Sequence, residues 1–451
     1  MATLVILGSI IEIILLALVI SGKADNWSYL SLGFAIAFVV YLFSLFFVGK
    51  VGFDSGRKSF AIVFTFSAAF IITISFSQPF LSWDVFRYYW DGKVLANGIN
   101  PFMYAPDASQ LSFLRDSLWI NINHKDLWTP YPPFSQLIFV LTYLAWPALA
   151  SYRIDAVILD LLVVTSLYYA LKKMNQPPIN ALTYGWSPLV IVEMGQSSHN
   201  DALSVLMVVL SFLLLLMDRP VLSSLALGLA TISKYYPLLL APLFFRKWGV
   251  KGIIVYIGVV VLSYIPFLGA GMRIFNGMMY IANTQLYTSS VFPFFQWIAR
   301  LMRASNPGQA AQYLDYVIFI CIFAFALKKT VLSKDSGTAD LWKYSFVVIG
   351  ALLLLNRALF PWYVVWILPF LSSIKSKAWL VLTGTVMVGY FQFTTFPPPD
   401  NASVPPVISA LLSLAEYLPF FVILAYEMLS RRSSVNKEFD ENISSRILDR
   451  M

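Results

Sequence analysis

The sequence predicts an all-α polytopic membrane protein, on three observations. Of its 451 residues, 59% are hydrophobic and only 12% charged, against about 45–50% and about 25% in soluble domains. Its mean hydropathy is +0.73, which implies more apolar surface than a soluble fold could hide. Long uninterrupted apolar runs recur along the chain, whereas barrel strands alternate weakly between polar turns.

A helix needs roughly 20 apolar residues to cross the hydrocarbon. Runs of about that length lie at 4–20, 28–48, 60–77, 152–171, 179–194, 201–217, 251–268, 311–327, 342–355, 359–373, 378–396 and 407–429. The first lacks a basic n-region and a small-residue cleavage site, so it reads as a retained helix. The stretch 221–246 reads either as one helix kinked at Lys234 and Pro237 or as two short helices meeting near Tyr235 and Tyr236. The run 131–148 opens with Tyr131-Pro132-Pro133 and holds Pro147, so it reads as a helix in the outer leaflet. The expectation is about 12–14 transmembrane helices. They form a single domain over 1–430, with a long outer loop at 78–130 and a polar cytoplasmic tail at 431–451.

Charge orients these elements. The net charge is +8, which in a soluble protein would suggest nucleic acid. Here the basic residues cluster between apolar runs, and no nucleic-acid partner is expected. If 221–246 crosses twice, the inner loops hold Lys50, Arg57 and Lys58; Lys172 and Lys173; Arg219; and Arg246, Lys247 and Lys251. They also hold Lys328, Lys329, Lys334 and Lys343, then Lys375 and Lys377, and five basic residues of the tail. That is 20 of the 31. The positive-inside rule then places both termini in the cytoplasm of a plasma-membrane protein. The loop 78–130, His199 and a proline-rich turn at 397–406 face outward. The lone Cys321 excludes an intramolecular disulfide and a thiolate zinc cluster. No metal site or cofactor is indicated.

The chemistry-bearing residues gather at the outer side. The loop begins Ser82-Trp83-Asp84-Val85-Phe86-Arg87-Tyr88-Tyr89-Trp90-Asp91. As a helix it puts Trp83, Phe86, Trp90 and Val94 on one face and Asp84, Arg87, Tyr88 and Asp91 on another. One reading is an interfacial anchor with solvated charges. The sharper one sets carboxylates at a cavity mouth, where partial desolvation suits a general base. Gly98 can end this helix. In Ser198-His199-Asn200-Asp201, a residue can simply cap the next helix, or His199 and Asp201 can bind a phosphate or a sugar hydroxyl. Lys234 lies deep in apolar sequence, where a lysine costs about 2.5–3.5 kcal/mol and calls for a partner. It either snorkels to outer headgroups or meets an anionic ligand, and Arg357 presents the same choice. Glu12 and Asp160 sit mid-span and read as interhelical hydrogen-bonding partners.

These residues together resemble the polyprenol-phosphate-sugar-dependent glycosyltransferases of the GT-C superfamily, especially their bacterial mannosyltransferase branch. The likeness spans about Ser82 to Phe370. It rests on Trp83–Gly92, Gly98-Ile99-Asn100-Pro101-Phe102, Ile122-Asn123-His124, Tyr131-Pro132-Pro133, His199-Asn200-Asp201, Lys234-Tyr235-Tyr236-Pro237 and Pro361-Trp362-Tyr363, in that order. The resemblance implies a GT-C-like helical bundle that performs an inverting transfer on the outer face. The sugar, mannose by resemblance, would move from a polyprenyl-phosphate donor to a lipid-linked or glycan acceptor. It matches Asp84 to the family's base. Lys234, Arg357, His199, Asp201, Arg87, Asp91 and Tyr131 are the candidates for binding the donor phosphate or sugar. Two spans precede the helix leading into the loop, a departure from a minimal member. A lipid-borne donor carries its own leaving group, and no Gly-rich phosphate loop is evident. The competing reading is a transporter or flippase of lipid-linked or polar solutes. Transporters commonly show matched halves with interrupted helices, and here one interrupted helix has no counterpart.

Overall fold

Backbone groups in hydrocarbon must be paired locally, so apolar runs close into helices. The computed structural model describes residues 1–51, 56–284, 287–395 and 405–448. Among these it holds helices and no β-strand. Helices α1 (Ala2–Ile20), α2 (Trp27–Val51) and α3 (Arg57–Ser75) form the first layer, with α1 packed on both others. Glu12 of α1 accepts a 2.5 Å hydrogen bond from the Thr73 hydroxyl of α3, the interhelical role expected of a mid-span acid. The outer segment contributes α4 (Asp84–Ala96) and α5 (Pro133–Ala145). At 13 residues α5 spans about 20 Å, too short to cross. Helix α6 (Leu149–Lys173) follows, and its Asp160 accepts from the Tyr184 hydroxyl at 2.8 Å.

Six described helices are long and apolar enough to cross a membrane: α1, α2, α3, α6, Pro307–Leu332 and Val407–Ser430. A bent pair, Ala241–Leu262 with Ile265–Asn283, turns by 77° and makes a seventh if taken as one span. The other apolar runs exist as short or broken helices. The run expected at 179–194 becomes short turns ending in a π-helical turn, Ile191–Gln196. The run at 359–373 passes through Pro361–Val364, Val365–Ile367 and Leu368–Leu371. Pro188, Pro361 and Pro369 each remove a backbone donor at the start of one of these pieces.

Helices α7 (Asp201–Leu216) and α8 (Pro220–Thr231) pack together. The chain then breaks before α9 (Ala241–Leu262), with a 3-10 turn at Tyr236–Leu239 between them. The stretch 221–246 is therefore interrupted near Tyr235, as the two-helix reading expected. Gly249, at φ 62° and ψ −176°, kinks α9 in a conformation open to glycine alone. Helices α10 (Pro307–Leu327), α11 (Thr338–Leu354) and α12 (Pro406–Leu448) complete the chain. The polar tail expected from 431 onward continues α12 to Leu448. Most of the proline-rich turn at 397–406 lies outside the described residues.

Two pairs of segments near the ends assigned to one side by charge are in contact. Arg246 donates to the carbonyls of Ser333 and Lys334, and Lys247 donates to that of Ser336 at 2.6 Å. The Lys377 backbone N–H and the Ser376 hydroxyl donate to Glu427 at 2.5 and 3.0 Å. Asp84, His199 and Lys234, all assigned to the opposite side, gather at the start of α7.

Candidate active site

Helix α4 starts at Asp84, whose carboxylate sits in the first turn and favours the positive helix end. The helix ends where Gly98 takes φ 73°, as its sequence predicts. Phe86, Trp90 and Val94 are buried, but so are Arg87, Tyr88 and Asp91 on the other face. The reading of a helix with solvated charges on a wet face is therefore corrected. Folding the loop back over α4, against α5, covers both faces. Gly92 makes this possible, since a Cβ there would lie 2.4 Å from the Phe139 carbonyl oxygen and the Tyr152 hydroxyl. Asp116 anchors the covering loop. It accepts from the Leu118 and Trp119 backbone N–H groups at 3.0 and 3.1 Å and pairs with Lys93 at 2.7 Å. Burial opposes its ionisation, but the hydrogen bond and charge of Lys93 outweigh that and hold its carboxyl below the usual range.

Burial also reassigns Arg87 and Asp91, which the sequence offered as donor-binding groups. Arg87 Nε bonds Asp91 Oδ1 at 2.8 Å, and Nη2 donates to the Leu127 carbonyl at 3.0 Å. Asp91 Oδ2 accepts from Thr129 at 2.5 Å and from Gln136 at 3.1 Å. Both side chains are spent fastening the loop to α4 and α5, and neither is exposed beyond 5%.

Asp84 differs: its side chain is 20% exposed. Asn123 donates to Oδ1 at 3.0 Å, and the Tyr131 hydroxyl donates to Oδ2 at 3.2 Å. His199 Nδ1 lies 3.8 Å from Oδ2. The imidazole is fully buried and stacks on Trp362, with centroids 4.4 Å apart. The preceding Ser198 holds φ 56°, a left-handed conformation uncommon for non-glycine residues and often kept at functional sites. Burial lowers the His199 pKa to about 4, against the opposing pull of Asp84 and Asp201.

Two residues on, Asp201 is fully buried at the start of α7. Its Oδ2 pairs with Lys234 Nζ at 2.8 Å, and its Oδ1 accepts from Trp366 Nε1 at 2.7 Å. Lys234 thus has the partner its position demanded. It stands in the break between α8 and α9, 5.6 Å from the centre of the Tyr363 ring, with 17% of its side chain exposed. The Asn200 side chain donates to Ser135 at 2.6 Å, and Ser135 donates to the Ser233 carbonyl at 2.8 Å, tying α5 to that break.

Asp84, Tyr131, His199, Asp201 and Lys234 therefore form one connected cluster. Arg357 is placed differently. Its Nη1 reaches Gln312 at 3.5 Å and its guanidinium lies 5.2 Å from the Phe292 ring, so its contacts belong to α10 and the helix Phe292–Leu301. The cluster also includes a residue that sequence reasoning passed over. Glu193, in the π-helical turn, is fully buried and bonds the Tyr390 hydroxyl at 2.9 Å, and its Oε2 lies 3.4 Å from His199 Nε2. An acid inside the apolar run 179–194 was the available signal.

A carboxylate with partial access, a buried imidazole and a lysine at a helix break can bind a polar substrate with an anionic group and remove a proton from it. A family model described as Alpha-(1->6)-mannopyranosyltransferase, N-terminal domain, matches residues 10–249, just over half of the chain. That stretch includes Asp84, Tyr131, His199, Asp201 and Lys234. No curated protein and no solved structure matches the chain.

Proposed function

The chain belongs to the alpha-(1->6)-mannopyranosyltransferase family, and on that premise we propose how this membrane mannosyltransferase works. It takes mannose from a polyprenyl-phosphate donor and passes it, with inversion, to a glycan or glycolipid acceptor at the outer face of the plasma membrane. The single observation that carries this reading is the partly exposed Asp84 carboxylate, held by Asn123 and Tyr131 beside the Asp201–Lys234 pair.

Asp84 is the base. Two hydrogen bonds fix its carboxylate beside His199, so a free oxygen lone pair can accept the proton of an acceptor hydroxyl as that hydroxyl attacks the anomeric carbon. Such assistance is typically worth about 10²–10⁴-fold. The bond from anomeric carbon to phosphate oxygen breaks on the opposite face, and the phosphate departs with the extra charge. Lys234 is the cation placed to meet it. One of its three ammonium donors is used by Asp201, and its partial exposure leaves others for an anion. Asp201 and Trp366 hold the lysine in place and offset its cost of burial. Arg357 is the weaker candidate for the phosphate, because its contacts lie on other helices.

The positive-inside bias supports the outward orientation. The apolar helices around the cluster suit a donor whose tail stays in the lipid. Purified protein in vesicles tests the donor: polyprenyl-phosphate mannose should support transfer, and a nucleotide mannose should not. Transfer from the nucleotide sugar alone would overturn the reading. Lys234→Met should cut transfer at least about tenfold while the protein stays folded. Unchanged rates would place the donor phosphate elsewhere.

A further inference from the structure

The environment of His199 presents a proton-counting problem. Both ring nitrogens are buried and face carboxylates, Asp84 Oδ2 at 3.8 Å from Nδ1 and Glu193 Oε2 at 3.4 Å from Nε2. A neutral imidazole carries one N–H. If both acids were ionised, one nitrogen lone pair would point at a carboxylate lone pair. A charged imidazolium would satisfy both sides, but the ring is fully buried, and burial disfavours its charged form.

Glu193 supplies the solution. It is fully buried, and its hydrogen-bond donor is the neutral Tyr390 hydroxyl, whose bonds to the two carboxyl oxygens are 2.9 and 3.0 Å. The cation of this cluster, Lys234, is taken by Asp201. An ionised carboxylate buried without a cation is so costly that such a group takes up a proton instead. The charged and titratable groups facing His199 are Asp84 from α4, Glu193 from the π-helical turn, Asp201 from α7 and Lys234 from the break after α8. Of the three acids, only Asp84 opens to substrate, with Asp201 and Glu193 fully buried.

We propose that Glu193 is a positioning residue: as a neutral carboxylic acid it donates to His199 Nε2 and so fixes His199 in the Nδ1–H tautomer aimed at Asp84. This rests on Asp84 being the base. The π-helical turn Ile191–Gln196 has a role in the arrangement, because it places the Glu193 carboxyl beside Nε2 of the imidazole while the Glu193 carbonyl accepts the His199 backbone N–H at 3.0 Å. Such turns often occur at functional sites. The Trp362 face restrains the ring from one side. The N–H then faces the Asp84 carboxylate, which Asn123 and Tyr131 hold by hydrogen bonds, and leaves a lone pair for the acceptor.

The sequence contains only two histidines, His124 and His199, so full-length protein labelled with 15N-histidine gives two pairs of ring-nitrogen signals by NMR. His124→Asn assigns them. At pH 7 His199 should be neutral, with Nδ1 protonated and Nε2 bare. Glu193→Leu should lose this tautomer and lower turnover with polyprenyl-phosphate mannose about tenfold or more. Glu193→Gln, whose amide N–H replaces the acid's O–H, should restore the tautomer and bring turnover back to within a few fold of wild type. An imidazolium, or an Nε2–H tautomer, in the wild-type spectrum overturns the proposal. So does a Glu193→Gln variant that behaves like Glu193→Leu. If Glu193→Leu does not fold, the wild-type spectrum and Glu193→Gln decide. A spectrum as expected, in protein that moves no mannose from this donor, would separate failure of the proposed function from failure of the tautomer.

Discussion

Asp84 and Asp91 stand about two turns apart on one helix, yet their surroundings give them different work. Asp91 is enclosed with Arg87, and removing one member of such a pair typically costs about 3–5 kcal/mol. Arg87→Met should therefore lower the melting temperature in detergent by several degrees, and a variant as stable as wild type would show that the pair contributes little. Asp84 keeps an opening, and its loss should affect turnover before stability. His199 gives a pH signature. Burial takes its pKa from 6.5 down to about 4, so in that window the unfolded chain binds a proton that the folded chain refuses. The stability it contributes is present above pH 6.5 and is lost as pH falls toward 4. Thermal melts across this range should show that slope in wild type and lack it in His199→Gln. An equal slope in both would assign it to other groups.

Among the elements, α4 and α5 show what was legible and what was not. The start of α4 at Asp84, its end at Gly98 and the shortness of α5 follow from polarity, a glycine and two prolines. The covering of α4 on both faces does not, because the hydrophobic pattern marks only one apolar stripe. The signal lay in Gly92, whose missing side chain admits the α5 backbone and the Tyr152 hydroxyl. Gly92→Ala should push α4 off α5 at a cost of about 1–3 kcal/mol and reduce transfer through displacement of Asp84. A variant with wild-type melting temperature and rate would refute this close packing. The broken helices were only partly legible. Lys234 and Pro237 announced the gap between α8 and α9, but nothing in the pattern announced the π-helical turn at Ile191–Gln196, and with it Glu193 was missed.

Over the whole molecule, composition and apolar runs made the class plain, and the basic clusters grouped the 246–251 and 328–343 segments. Arg246 and Lys247 do meet the 333–336 loop. The number of crossings was less legible, because apolar runs interrupted by proline form short pieces that hydropathy alone counts as spans. The site drew on segments far apart in sequence, 84, 123, 131, 199, 201 and 234. The family resemblance joined most of them, whereas spacing alone could not. Orientation is testable with single cysteines at Ser109 and Ser434 in a Cys321→Ser background. An impermeant thiol reagent on intact cells should label Ser109→Cys, and label Ser434→Cys only after the membrane is opened. The reverse pattern would invert the topology and remove the argument for a lipid-linked donor.

The central claim is that Asp84 removes the acceptor proton during mannose transfer. Its most direct test is turnover by purified Asp84→Asn protein in vesicles with polyprenyl-phosphate mannose, alongside binding of that donor. Asparagine keeps the side chain's size and can still accept a bond from Asn123 or Tyr131, so the fold and donor binding should persist. Turnover should fall about 10²-fold or more. Near-wild-type turnover in folded Asp84→Asn protein would contradict the account.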